Sequence, residues 1–281
     1  MDLPYLSAAD VERHLTPVVA IDALEAALAD GLDPENDPPR RFVGLEHGEL
    51  ILMPSEVSGH VAVKLVTIGG DPRVQGVVVV FDGTTLAPAA LIDGIALTNV
   101  RTSAVSALAV RHLAREDAAR LLIFGRGPQA HAHVEAISAI RPIEQVDLLG
   151  RDHTGADELV AAADIIVCAT TASAPLFDGG LVADHATVVA IGTHDPDARE
   201  TDDALARRAT AVVESRVSAL REAGDVITAI ESGALEQDEL VTLAELISGA
   251  EIPDGPRLFK STGMSWEDAV MAATLTQLRT A

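Results

Sequence analysis

The fold of this chain is decided by the stretch Arg120-Leu121-Leu122-Ile123-Phe124-Gly125-Arg126-Gly127-Pro128-Gln129-Ala130. Its apolar run predicts a buried strand, and the G-x-G-x-x-A pattern after it predicts a tight turn into a helix. In that pattern Gly125 permits the turn, Gly127 lets a pyrophosphate approach the backbone, and Ala130 permits close helix–strand packing. The start of the helix adds amide donors and the positive end of the helix dipole. The stretch therefore predicts a dinucleotide site, against the alternative of an ordinary glycine-rich turn.

Downstream of this turn, short apolar runs alternate with helical stretches. The predicted strands are Gln145–Leu149, Asp164–Cys168 and Thr187–Ile191, and helical stretches such as 130–140 and 155–163 separate them. Such alternation is typical of βαβ units and a buried parallel sheet.

The pattern upstream is different. Strands are predicted at 50–53, 60–68 and 76–81, an alanine-rich helix at 94–119, and a last helix at 265–279 that packs back on the first domain. The predicted fold class is α/β, with a Rossmann-type dinucleotide-binding domain over residues 116–261. The second domain is α+β and combines residues 1–115 with 262–281.

Composition excludes several classes of function. A formal charge of −23 argues against binding nucleic acid or an anionic membrane, since both need a basic surface. No apolar run is long enough for a membrane span, and no signal segment opens the chain. The single cysteine, Cys168, suits a reducing compartment and is interpreted as a core residue. We expect a cytoplasmic protein without a metal site.

The chain contains only two lysines, Lys64 and Lys260, and both interrupt apolar stretches. An ammonium shifts its pKa readily when buried, whereas arginine stays charged, so a lysine kept inside a strand indicates a functional ammonium. The alternative is a lysine whose stem packs while its head reaches water. Two arginines, Arg40 and Arg101, are candidates to bind an anionic group, with pairing to the abundant carboxylates as the other explanation.

The choice of cofactor is read at the end of the strand Gln145–Leu149. An acidic residue there binds the ribose hydroxyls of NAD, while an arginine accommodates the phosphate of NADP. Gly150 occupies the acidic position and Arg151 follows it, which favours NADP. Asp152 is acidic and close to this position, so NAD remains the alternative cofactor.

Together these segments resemble the ornithine cyclodeaminase/mu-crystallin family. The resemblance runs from about Ser7 to Ala272 and is carried by these segments: 52–54, 63–67, 93–104, 125–130, 163–171, 192–200, 224–225 and 259–263. It implies a dinucleotide-binding domain plus a substrate-binding domain that forms a homodimer through strands paired across subunits.

The resemblance also implies roles for single residues. Arg40 and Arg101 resemble the pair that holds the substrate carboxylate, with Arg41 as the alternative to Arg40. Lys64 resembles the lysine beside the substrate carbonyl or imine. The implied cofactor contacts, beyond the glycine turn and Arg151, are Thr102, Gln129, Thr170 and Lys260.

The chain departs from the family pattern at two positions. The family asparagine expected near Gly69 to Arg73 is not recognisable, and the second departure is in a loop of the other half. Cyclodeaminases place an aspartate two residues before the proline of the 192–196 loop, and this chain has His194 there. His194 becomes a second candidate acid or base, because histidine titrates near neutral pH. The favoured hypothesis is an NAD(P)-dependent reductase of a small imino acid such as pyrroline-2-carboxylate, or an amino-acid dehydrogenase in reverse. The alternatives are an ornithine cyclodeaminase and a non-catalytic NADP-dependent binder of small carboxylates.

Overall fold

A computed structural model describes residues 3–153 and 155–280, with side chains described up to residue 278. Its first unit is Met1–Val105 with Met264–Ala281, and its second is Ser106–Gly263. Among the described residues, no helix has both the length and the apolar character needed to cross a membrane.

The elements before the glycine turn are β1 (Tyr5–Leu6), α1 (Ala8–His14), α2 (Pro17–Ala29), β2 (Arg41–Leu45), β3 (Gly48–Val57), β4 (His60–Ile68), β5 (Val74–Asp82), β6 (Pro88–Asp93) and α3 (Gly94–Leu113). From the turn onward they are β7 (Arg120–Phe124), α4 (Pro128–Ser138), β8 (Gln145–Leu149), α5 (Asp157–Ala162), β9 (Ile165–Cys168), β10 (Thr187–Ala190), α6 (Asp203–Ala206), β11 (Thr210–Val213), α7 (Arg216–Glu222), α8 (Gly224–Glu231), β12 (Val241–Thr242), α9 (Leu243–Ile247), β13 (Arg257–Lys260) and α10 (Ser265–Thr280). Short 3-10 turns lie at Pro34–Asn36, Gly179–Leu181 and Gln237–Glu239.

The first unit is built on a sheet of order β1-β6-β5-β4-β3-β2. Strands β2 to β6 pair antiparallel, and β3 joins β4 through Ser58 and Gly59, both at positive φ, as a two-residue hairpin turn requires. Residues alternate in burial along β3 and β4, so one face of the sheet is covered. Helix α10 packs on β3 and β4 and contacts α2. This packing brings the end of the chain to the strand that carries Lys64.

The second unit has a seven-stranded sheet, β12-β11-β13-β10-β9-β7-β8, in which every pair is parallel. Strands β9 and β10 are buried along their whole length, as expected when helices cover both faces. The chain runs from β7 outward to β8 and then crosses back to β9 on the other side of β7. This reversal creates a crevice at the carboxyl ends of β7 and β9, where ligands bind in open α/β sheets. The predicted α/β fold class with a Rossmann-type domain is confirmed.

Several predicted boundaries differ from the structure, and two of these differences have a local cause. Helix α4 begins at Pro128, before the predicted start, because proline lacks an N–H that the first helical turn does not need. Helix α3 ends at Leu113 and not at Ala119, since a turn containing the Arg115–Asp117 ion pair follows it.

Candidate active site

The second unit contains a cavity of about 930 Å³ at the carboxyl ends of its central strands. Its walls come from the residues that follow β7, β8, β9 and β10. They include Gly125, Arg126, Gly127 and Gln129 after β7, Gly150, Arg151 and His153 after β8, Ala169 to Ser173 after β9, and Ile191 and Gly192 after β10. The cavity therefore occupies the crevice that the strand order creates.

The glycine turn forms one end of this cavity. Gly125 has φ +134°, and a Cβ there would lie 2.6 Å from the Ala169 carbonyl oxygen, so only glycine fits without strain. Gly127 caps α4, and a Cβ there would meet nothing within 4 Å, so its backbone faces open space. Pro128 has no N–H, which leaves the amides of Gln129 and Ala130 as the first donors of the helix. An anion such as a pyrophosphate fits this cradle.

Two arginines near the end of β8, Arg126 and Arg151, place positive charge in the cavity wall. Arg151 donates to the Thr171 hydroxyl over 3.2 Å, and Arg126 donates to the Leu148 carbonyl over 3.3 Å. A Cβ at Gly150 would lie 2.8 Å from Oδ1 of Asp152 and 3.0 Å from Nη1 of Arg126, so these two side chains take the space of a side chain at position 150. Asp152 lies 3.8 Å from the same nitrogen. Two exposed guanidinium groups thus stand where an acidic residue would select NAD.

A buried carboxylate holds the ends of β9 and β10 together. Oε1 of Glu200 accepts from the backbone N–H and hydroxyl of Thr170 over 3.1 and 2.7 Å, and Oε2 accepts from Gly192 N over 2.7 Å. Burial raises the pKa of Glu200 to about 7, while Lys260 opposes this rise. Because Thr170 and Gly192 both line the cavity, Glu200 shapes the cavity from behind its wall.

The first unit contains a buried cluster of two cations and two carboxylates. Lys64 Nζ lies 2.8 Å from Oδ2 of Asp268, and Nη1 of Arg101 donates to Oε2 of Glu267 over 2.8 Å. Nε of Arg101 lies 3.4 Å from Oδ1 of Asp268. All four side chains are at most 8% exposed. Removing such charges from water is costly, so opposite charges have to accompany them.

The pKa of Lys64 is lowered to about 8. Burial is the main cause, the charge of Arg101 is the second, and Asp268 and Glu267 act in the opposite direction. An ammonium with a pKa near neutrality can give up and regain a proton under ordinary conditions.

The model of the ornithine cyclodeaminase/mu-crystallin family matches residues 4–160 and 153–279, which together span nearly the whole chain. The chain belongs to this family.

Similar proteins and similar solved structures agree with this assignment. The ketimine reductase mu-crystallin of Mus musculus is 35% identical over 95% of both chains, and a Delta(1)-pyrroline-2-carboxylate reductase of Bacillus cereus is 33% identical over 82% of this chain and 81% of its own length. The structure of Delta(1)-pyrroline-2-carboxylate reductase from Thermococcus litoralis, in complex with NADH and L-proline, has a TM-score of 0.90 and 28% identity. It covers 98% of this chain and 97% of its own. A probable ornithine cyclodeaminase from Bordetella pertussis Tohama I also has a TM-score of 0.90 and 28% identity, over 98% and 96% of the two chains.

Of the cofactor residues that the family resemblance implied, most lie together in the cavity of the second unit. Its wall contains Gly125, Gly127, Gln129, Arg151 and Thr170. Ala130 lies fully buried in the first turn of α4, as close packing of the helix requires. Thr102 is buried in α3, within the first unit.

Two implied site residues lie elsewhere in the second unit. The Lys260 ammonium is buried, donates to the Thr193 carbonyl over 2.8 Å and lies 2.9 Å from Oδ2 of Asp225. It is not among the residues that line the cavity, so its visible interactions are internal to the protein. His194 is exposed in the loop after β10 and is also absent from the lining.

Of the predicted substrate residues, two lie in the buried cluster and one lies outside it. Lys64 and Arg101 meet around Asp268, whereas Arg40 lies half-buried directly before β2. The alternative, Arg41, is exposed at the first position of β2. Within the described chain, no group of three or more His, Cys, Asp or Glu side chains is arranged to hold a metal.

Sequence reasoning missed the carboxylates that complete both sites. These are Glu267 and Asp268 on α10, Glu200 after β10, and Asp225 on α8. The first two had a signal, because these adjacent acidic residues directly precede the apolar stretch 269–273 of the helix. A carboxylate in such a helix needs a buried partner, and the two buried lysines were the natural candidates.

Proposed function

We propose that this protein is an NAD(P)-dependent oxidoreductase that reduces a small imino acid, such as pyrroline-2-carboxylate, to the amino acid, and that catalyses the reverse oxidation. The observation that carries the proposal is the buried pair of Lys64 and Arg101, two cations within one cluster of the first unit. The reductase activities of the mouse and Bacillus cereus relatives, at 35% and 33% identity, support it.

Each unit contributes one half of this chemistry. We assign dinucleotide binding to the second unit, where the glycine turn and the start of α4 fit a pyrophosphate. Gln129, Thr170 and Arg151 would hold the rest of the cofactor in the same cavity. When bound, the cofactor supplies or accepts the hydride. The two guanidinium groups of Arg126 and Arg151, beside a glycine at position 150, favour NADP over NAD.

We assign substrate binding to the first unit. The planar fork of Arg101 suits a carboxylate, which would share this guanidinium with Glu267. Arg40 is the proposed second contact to the carboxylate. Lys64, with its pKa near 8, would donate a proton to the substrate nitrogen as the imine carbon is reduced. Burial keeps water away from both charges and strengthens their effect on the substrate.

Lys260 and His194 have separate proposed roles. Lys260 would act on the cofactor indirectly, because it balances the charges of Asp225 and Glu200 behind the cavity wall. His194 is the second candidate for proton transfer and is exposed in its loop.

We further propose that the protein is a cytoplasmic homodimer. Strand β2 is the edge of its sheet, and its apolar side chains Phe42, Val43 and Leu45 are 48%, 43% and 50% exposed. An exposed apolar edge strand is a template for pairing with another chain. Light scattering should give twice the mass of the chain, and Val43→Lys should lower it to the monomer mass. A monomeric wild-type protein would contradict the proposed assembly.

The proposed activity is tested by NADPH and NADH oxidation with pyrroline-2-carboxylate, piperideine-2-carboxylate, and pyruvate with methylamine. Lys64→Ala should abolish turnover while nucleotide affinity survives. If His194→Ala abolishes turnover and Lys64→Ala does not, His194 is the residue that donates the proton to the substrate nitrogen. Ammonia release from ornithine without net change of the cofactor would identify a cyclodeaminase, and nucleotide binding without any turnover would identify a binder.

A further inference from the structure

Asp268 differs from its neighbour Glu267 in what it binds. Glu267 accepts from the Met264 backbone N–H over 2.9 Å and from Arg101, so it anchors the start of α10. Asp268 lies one residue further into the helix, with its side chain 1% exposed and both oxygens directed at cations. Its Oδ1 accepts no hydrogen bond within the described part of the chain. A buried carboxylate is costly to remove from water, so the two cations that Asp268 faces have to account for its presence.

The charges around Lys64 explain it. Arg101 from α3 repels the lysine ammonium, and burial on β4 disfavours its charged form. Asp268 and Glu267 from α10 favour that form, and Asp268 is the carboxylate 2.8 Å away. Asp37 faces Asp268 from the loop before β2, where it accepts from the first backbone amides of α10. Without Asp268, the buried lysine would lose the carboxylate that contacts its ammonium, and Glu267, which pairs with Arg101, would be the remaining anion of the cluster.

We propose that Asp268 is a positioning residue for the reaction, which keeps Lys64 protonated beside Arg101 and fixes the direction of its ammonium. The proposal rests on the proposed function. Addition of hydride to the imine carbon leaves the nitrogen short of one proton. An Nζ–H bond of Lys64 breaks, an N–H bond forms on the substrate, and the neutral amine then regains its proton from water. Asp268 favours that last step because it stabilises the charged lysine.

The low lysine content makes the test direct. With Lys64 and Lys260 as the only lysines, protein carrying ¹³C at lysine Cε gives two lysine signals, and Lys64→Arg assigns them. Each signal is titrated in the wild type, in Asp268→Asn and in Glu267→Gln. An opposite charge within about 4–6 Å changes a pKa by roughly 1–3 pH units. Asp268→Asn should therefore lower the pKa of Lys64 by at least about one pH unit, and Glu267→Gln should lower it less.

The Lys260 signal should not move in either variant, because neither variant changes Asp225 or the Thr193 carbonyl, the groups that the Lys260 ammonium contacts. In turnover assays, the alkaline limb of kcat/KM for imine reduction should move to lower pH by the same amount as the Lys64 titration in Asp268→Asn. The KM for NADPH should stay unchanged, and Asp268→Glu should restore the wild-type profile in part. An unchanged Lys64 titration in folded Asp268→Asn would overturn the proposal.

A variant that does not fold also gives an answer. If Asp268→Asn unfolds because it strands a buried ammonium, the double variant Lys64→Met/Asp268→Asn should recover the folded state. Failure of the double variant to recover would show that Asp268 serves the fold and not Lys64. The titration needs no substrate, so a shifted Lys64 pKa in a protein without reductase activity would support Asp268 and reject the proposed function alone.

Discussion

Removal of the two guanidinium groups at the end of β8 should change which cofactor the protein prefers. Arg126→Ala and Arg151→Ala each delete one exposed cation that lines the cavity beside Gly150. Two unit charges 4 Å apart in water interact by about 1 kcal/mol, and a phosphate monoester carries roughly −1.5 to −2. Each arginine should therefore contribute about 1.5–2 kcal/mol to NADPH binding, which is roughly a ten- to thirtyfold change in Kd. Asp152 lies 3.8 Å from Arg126, and its negative charge should reduce the contribution of Arg126 to NADPH binding.

The assay is calorimetric titration of each variant with NADPH and with NADH. NADH lacks the phosphate, so its Kd should change by less than about threefold, and the double variant should lose most of the preference for NADPH. Arg207→Ala is the matched control, since Arg207 is an exposed arginine of the same unit that does not line the cavity. Equal losses for both nucleotides, or tighter NADH binding by the wild type, would refute the reasoning.

Three further predictions concern the second unit. Gly125→Ala should weaken nucleotide binding and lower the unfolding free energy by about 1–3 kcal/mol, because position 125 has a positive φ and its Cβ would contact the Ala169 carbonyl. Denaturant unfolding measures this loss. Gly127→Ala is the control, since a Cβ at position 127 meets nothing within 4 Å. Burial raises the pKa of Glu200 from 4.5 to about 7, so the stability that this group contributes is present below pH 4.5 and is lost as the pH rises to about 7. Glu200→Gln should remove that loss, on the order of 3 kcal/mol in the pH dependence of unfolding, and parallel curves for variant and wild type would contradict it. Lys260→Met should cost about 3–5 kcal/mol because it leaves Asp225 buried without its cation, and a smaller cost in Lys260→Met/Asp225→Asn would confirm the pairing.

Local pattern was sufficient to predict the frame of the nucleotide-binding unit. The strands at Arg120–Phe124 and Gln145–Leu149 have the bounds that the sequence pattern indicated. In the first of them Leu121 to Phe124 are buried, because a strand buried on both faces needs an unbroken apolar run. The position of the glycine turn followed from spacing alone, and at Gly125 the backbone admits only glycine without strain. The unusual place of Lys64 was also visible in the sequence, as a lysine within an apolar strand, and its catalytic role stays a prediction.

The partners of the charged residues were decided only by the tertiary structure. Lys64 meets Asp268, and Lys260 meets Asp225, across long separations in sequence that no local periodicity encodes. The same holds for β13, which enters the sheet between β10 and β11 although it follows both in the chain. Composition and spacing determine which residues must be buried. Which charge neutralises which depends on the packing of α10 against β3 and β4, because a buried ion is stabilised by whatever group lies within a few ångströms, regardless of its place in the sequence.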